Sequence, residues 1–194
     1  MRNRLRTSLI AASVAAAALA VGAPSASAGL LVASAPDCTP QPTSQPFLAY
    51  GDDDQYELAP GGDFESSSED WNLRGGASVT DGQLRLPPGA SAQSPVMCVG
   101  IEHPTVRFFA KNNRALLSTL TVDVTFETSL GLKASLPFGT VLPNGQLKPS
   151  PKFMVLANLL PLLPGEHTPV QFRVTSVLLG TWTVDNFYVD PKCR

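Results

Sequence analysis

Two histidines, three cysteines and one dense run of acids are the residues of this 194-residue chain whose types lend themselves to chemistry. His103 and His167 stand in related tetrapeptides, Glu102-His103-Pro104-Thr105 and Glu166-His167-Thr168-Pro169, each just before a β-prone run. Two His and two Glu brought together would suit zinc or acid–base work. These four, however, lie on unconnected turns, and as strand-entry residues with Pro fixing the backbone they need no further role. Asp52-Asp53-Asp54 with Glu57 is the densest acidic cluster. Hydrolytic carboxylates must face each other across a cleft at about 5 to 9.5 Å, whereas a run of acids in one turn is expected to be solvated. The chain has no G-x-S-x-G elbow, no H-E-x-x-H and no paired-cysteine metal spacing. The residues therefore read as those of a non-enzyme.

Cys38, Cys98 and Cys193 stand outside any C-x-x-C motif, so their expected use is structural. One bridge among three cysteines has three possible pairings, which sequence does not separate. Cys38 to Cys98 is preferred, because it would tie a loose N-terminal arm to a strand, whereas Cys193 lies next to a terminus prone to fraying.

A bridge needs an oxidising compartment, and the N-terminus supplies the address. Arg2, Arg4 and Arg6 precede an apolar run from Leu9 to Val21, and Ala26-Ser27-Ala28 offers a small-x-small cleavage site before Gly29. That is the layout of a secretory signal peptide over residues 1 to 28. Its apolar run falls short of the roughly 20 residues that cross a bilayer. The stretch from Phe153 to Leu163 is interrupted by Asn158 and Pro161, so no membrane span is expected. Cleavage removes 28 of the 194 residues and leaves 166, the size of one domain. With the three N-terminal arginines set aside, 11 basic residues face 16 acidic ones, a balance of about −5. With no basic stripe in the sequence, nucleic acid and anionic lipid are not expected partners.

The elements that must position these residues are strands. The chain carries 18 Pro and 15 Gly, mostly between short apolar runs, which leaves little room for helices. Residues 36 to 46, rich in Pro, Thr, Ser and Gln, read as an extended arm. Strand-like runs follow at 55–59, 71–73, 78–80, 83–86, 94–99, 105–111, 118–128, 132–137, 170–177 and 181–190, with Asp81-Gly82 as a two-residue hairpin turn. Leu120, Val122, Val124 and Phe126 alternate with Thr121, Asp123, Thr125 and Glu127; Val170, Phe172 and Val174 alternate with Gln171, Arg173 and Thr175. One face of each strand is dry and the other wet, as in an antiparallel sandwich or barrel. In the last run Trp182 and Val184 share a face that Phe187 and Val189 would leave. A one-residue bulge at Asp185-Asn186 returns all four to the core and re-aims Asp185.

The segment Gly61-Gly62-Asp63-Phe64-Glu65, then Trp71, then Gly75-Gly76-Ala77-Ser78-Val79, resembles the opening of jelly-roll domains of the galactose-binding and carbohydrate-binding-module type. Thr181-Trp182-Thr183-Val184-Asp185-Asn186-Phe187 is similar to the W-x-I-D-D-V strand that often closes them, with Asn186 in place of the second Asp. Cys98 to Thr105 also resembles a segment of certain secreted actinobacterial proteins, a likeness that supplies no activity. The first resemblance implies an all-β fold, an antiparallel two-sheet jelly-roll β-sandwich over 61–194, behind an N-terminal extended arm over 29–60. It implies that the first and last strands lie side by side, with a structural calcium where they meet. The carboxylates of Glu65 and Asp185 and backbone carbonyls would then be the ligands, as suits a cation that takes six to eight oxygens. It implies Trp71 and Trp182 in the core and leaves Tyr50, Tyr56 and Tyr188 as contact candidates. Two functions follow as expectations. One is a secreted, extracellular module that binds a polysaccharide or cell-envelope glycan. The other is a structural or protein-interaction component of the outer envelope, marked by an aliphatic patch around Met154 to Leu163 in place of a row of exposed aromatics.

Overall fold

The structure, a computed structural model, describes residues 32–35, 41–65, 71–101, 105–113, 116–155 and 166–190. Cys38, His103, Cys193 and most of the 154–163 stretch lie outside the described residues. In chain order the strands are β1 (Thr43–Ser44), β2 (Tyr56–Leu58), β3 (Asn72–Arg74), β4 (Ser78–Thr80), β5 (Gln83–Leu86), β6 (Ser91–Gln93), β7 (Met97–Gly100), β8 (Thr105–Asn112), β9 (Ser118–Glu127), β10 (Lys133–Val141), β11 (Lys148–Pro149), β12 (Phe153–Met154), β13 (His167–Leu178) and β14 (Trp182–Asp190). No described helix is long and apolar enough to cross a membrane.

The period-two patterns of β9 and β13 are realised: the apolar set of each strand is buried and its alternate residues are partly exposed. Two antiparallel sheets stack on those dry faces. In sheet A the central strand is β14, with β8 along one edge and β5 and β2 sharing the other. In sheet B, β13 holds the corresponding place, with β9 on one side and β6 and β7 on the other. The first long-range pairing, β2 with β14, sets the opening and closing strands side by side, as a jelly roll requires. A hydrogen bond of 2.6 Å from Trp182 Nε1 to Ser118 Oγ ties the two sheets together at one end.

The bulge in β14 makes the centre of the core. Pairing with β8 slips between Asp185 and Tyr188, and Asn186 adopts φ 50°. Trp182, Val184, Phe187 and Val189 are all fully buried as a result. The Phe187 ring stacks on Phe108 at 5.2 Å and 6° and touches Phe172 at 5.7 Å and Trp71 at 5.6 Å, joining both sheets. The β4–β5 turn also forms as expected: Asp81 (φ 52°) and Gly82 (φ 67°) are both left-handed, the backbone of a type I′ hairpin.

Of the run expected over 94–99 only Met97 to Val99 is strand, as part of β7; Ser94 to Val96 form a break, since Pro95 has no N–H for the ladder, and the unexpected β6 lies just before it. Ser94 bridges the break, its N–H donating to Phe172 O at 2.8 Å and its Oγ accepting Phe172 N–H at 2.9 Å. The segment expected as an arm packs on sheet A: β2 falls in the strand-like run expected at 55–59, and the unexpected β1 pairs with it. Phe47 is buried there against Phe109 (5.2 Å), Tyr56 (4.9 Å) and Tyr188 (5.6 Å), so this segment covers part of the outer face of sheet A. Cys98, on β7 opposite Pro169, is disulfide-bonded.

Candidate functional site

The two acids expected to act together, Glu65 and Asp185, come from opposite ends of the domain. The loop after β2 is stitched to the β14 bulge: Ala59 N–H donates to Phe187 O and Phe187 N–H to Gly62 O, each at 2.9 Å. A Cβ on Gly62 would stand 2.9 Å from the carbonyl oxygens of both Ala59 and Phe187, so only glycine permits this approach. The loop then sets Glu65 over the β4–β5 turn, its carboxylate 2.6–2.8 Å from where a Cβ on Gly82 would be. The next residue, Gln83, hydrogen-bonds Asp185 through its side chain. Burial pushes the Asp185 carboxyl up and the Glu65 charge adds to that, against the hydrogen bonds from Asn186 and Gln83. Its Oδ1 is buried without a hydrogen-bond partner, a costly state for a carboxylate. An oxygen-only donor set with one orphaned oxygen fits a hard cation. Among the described residues no three His, Cys, Asp or Glu side chains cluster closely enough to hold a metal alone, so the remaining ligands would be backbone carbonyls.

The acidic run is not a solvated turn. Asp52 is buried, accepts from Tyr56 Oη at 2.7 Å and from Asp54 N–H at 3.2 Å, and pairs with Lys152 at 2.7 Å and with Arg107. Burial alone would raise its carboxyl. The bonds from Lys152, Tyr56, Asp54 and Arg107 outweigh that and bring it down to about 2. Lys152, which also reaches Asp54 at 2.6 Å, is held above its ordinary value by both acids despite its own burial. Glu57 is buried too and accepts Gln41 N–H at 2.6 Å. The run thus clamps the 41–59 segment to β8, with the Arg107 guanidinium 4.7 Å above the Phe47 ring.

Trp71 and Trp182 are core residues, as expected. Of the three tyrosines, Tyr56 is fully buried and Tyr188 is partly buried against Phe47, leaving only Tyr50 largely exposed. The described residues present no row of exposed aromatics.

The outer face of sheet B presents a different surface. Strand register places Pro137, Asp123, Arg173, Gln93 and Asn72 in one row across β10, β9, β13, β6 and β3. A parallel row holds Thr140, Thr121, Thr175, Ser91 and Arg74. A run of hydrogen bonds orients part of this face: Arg173 Nη2 donates to Gln93 Oε1 (2.9 Å), Gln93 Nε2 to Gln171 Oε1 (2.9 Å), and Gln171 Nε2 to Ser94 O (3.1 Å), while Asn72 Oδ1 accepts from Arg74 Nε at 3.3 Å. A shallow recess of about 130 Å³ opens beside Gln171, bordered by Val96, Thr125, Lys133 and Pro169. The alternation of β9 and β13 marks Asp123, Gln171 and Arg173 as facing water. Gln93 and Asn72 share that face: Ala92 is buried between Ser91 and Gln93, Leu73 is less exposed than Asn72 and Arg74, and register pairs Gln93 with both Arg173 and Asn72.

Fold and surface together define a jelly-roll β-sandwich with a preorganised polar face on one sheet. No protein family's sequence profile matches the chain, and no curated protein matches it in sequence. Among solved structures it is similar to a family two carbohydrate esterase from Cellvibrio japonicus, with 11% identity and a TM-score of 0.40 over 63% of this chain and 31% of that one. It is similar to the CBM22-1–GH10 modules of xylanase 10B from Clostridium thermocellum, with 13% identity and a TM-score of 0.48 over 68% and 28%. It is similar also to the family 11 carbohydrate-binding module of the cellulase Lic26A-Cel5E from Clostridium thermocellum, with 10% identity and a TM-score of 0.41 over 70% and 94%. The chain thus spans under a third of the esterase and xylanase chains and nearly all of the isolated module.

Proposed function

We propose that this chain is a secreted, extracellular, non-catalytic module that binds a polysaccharide or cell-envelope glycan on the outer face of sheet B. The observation that supports the reading is the row Asp123, Arg173, Gln93 and Asn72, in which the Arg173 guanidinium and the Gln93 amide are held by hydrogen bonds to each other and to Gln171. Vicinal hydroxyls need paired donors and acceptors in a plane, and planar amide, guanidinium and carboxylate groups present them. Neighbouring strands stand about 4.8 Å apart, comparable to one pyranose residue, so a chain laid across the strands meets a new polar side chain at each ring. With no row of exposed aromatics among the described residues, affinity comes from hydrogen bonds and is salt-tolerant and modest.

The same reading gives Glu65 and Asp185 a structural calcium ion, which when bound supplies charge neutralisation and a cross-link between the opening loop and the closing strand. Cys98 is given Cys38 as its partner, anchoring the segment ahead of β1. Co-sedimentation with insoluble polysaccharides and isolated cell walls tests the binding. Saturable retention on one glycan, weakened roughly tenfold by Arg173→Ala as about 1.4 kcal/mol of charged hydrogen bonding is lost, is expected. No retention on any of them would overturn the glycan reading and leave a protein partner as the alternative.

A further inference from the structure

The sequence contains no basic run, yet the fold sorts its charges. The end of the sandwich marked by the Trp182–Ser118 bond collects the tips of the β8–β9, β10–β11 and β13–β14 connections, because Leu178 pairs with Ser118 and Val141 with Leu120. Leu116, Leu117, Leu142, Leu178 and Leu179 stand on those tips, each between 62% and 90% exposed. Just behind them, the strand rows nearest this end carry Arg85 and Lys111, on either side of Thr183, with Lys148 beside Ala110 and Arg74 beside Ser91. The described loops at this end, 75–77, 87–90, 116–117, 142–147 and 179–181, contain no Asp or Glu. The chain's 16 acids all lie elsewhere in the sequence.

We propose that this end docks on an anionic lipid bilayer, the five leucines entering the headgroup and acyl boundary and the four cations lying against the lipid phosphates. The leucines project on separate, outward-pointing tips, which suits a deformable apolar phase better than a fixed complementary surface. Apolar insertion with flanking Lys and Arg is the combination that holds a protein at an interface without spanning it. The positive end of a net-negative protein also orients its approach to a negative surface. Docked in this way, the outer face of sheet B stands upright from the membrane and remains open to a glycan.

The test is flotation of the full chain with phosphatidylcholine vesicles, with and without about 30 mol% phosphatidylglycerol, alongside two variants. Leu116→Ser with Leu117→Ser, Leu178→Ser and Leu179→Ser removes the apolar tips; Arg85→Glu with Lys111→Glu reverses the flank. All three proteins share every other residue, including the apolar segment at 9–21, so differences among them report this end alone. The substituted side chains are exposed or partly exposed, and matching thermal melts establish equal folding. Binding to the anionic vesicles is expected to fall roughly tenfold in either variant and to weaken in high salt for the wild type. Equal flotation of all three proteins, or no flotation of the wild type, would overturn the proposal. So would binding of wild type to an acidic protein surface but to neither vesicle.

Discussion

Asp52 and Asp185 are both aspartates against sheet A, and their surroundings drive them in opposite directions. Asp52 is brought down to about 2 from 3.8 because four donors outweigh its burial. A carboxyl lowered on folding stabilises above its unfolded value, and that contribution fades as pH falls from about 4 toward 2. The shift corresponds to about 2 kcal/mol, so acid unfolding of wild type should be steeper than that of Asp52→Ala over this window. At neutral pH Asp52→Ala should cost about 3 kcal/mol by urea titration, since it leaves Arg107 half-buried and without that partner. Asp185 runs the other way. Its folded value is raised, so in chelator it destabilises at neutral pH, and stability is recovered as pH falls below its folded value. Asp185→Asn should therefore raise Tm in chelator at pH 7, with the gain disappearing in acid. In excess calcium the order should reverse, because wild type gains binding free energy that the variant lacks. Wild type and variant with identical calcium responses would remove the cation from the account.

At the scale of elements, the β14 bulge is what gives the closing strand two jobs. It turns Phe187 inward to join the sheets and begins directly after Asp185, which feels the Glu65 charge. Phe187→Ala should cost about 4 kcal/mol, since a ring in contact with three others leaves a large cavity. Gly82→Ala should cost about 1 kcal/mol for its left-handed backbone and should also abolish any calcium-induced rise in Tm, because its Cβ displaces the Glu65 carboxylate. The bulge was legible in the sequence, since four apolar residues fall out of phase at one point. So were the hairpin at Asp81-Gly82 and most of the strands, because period-two alternation and turn residues are local signals. The break at Pro95 was not read, although Pro is itself a local signal that argues against a continuous inner strand. The burial of Asp52 and Glu57 was not legible at all. It depends on Arg107, Lys152 and Gln41, which reach them only through the tertiary fold.

At the scale of the whole molecule, the sandwich separates its surfaces. The outer face of sheet A is partly covered by residues 41–59, the outer face of sheet B carries the ordered polar rows, and one end gathers leucines and cations. None of these surfaces is contiguous in sequence. Asp123, Arg173, Gln93 and Asn72 span about a hundred residues and meet only through register. The most direct test of the glycan reading is a titration of isotopically labelled protein with soluble oligosaccharides cut from the retained polysaccharide, followed by amide chemical shifts. Saturable shifts confined to Gln93, Asp123, Gln171, Arg173 and their neighbours are the predicted result. Shifts centred elsewhere, or none at saturating oligosaccharide, would contradict it.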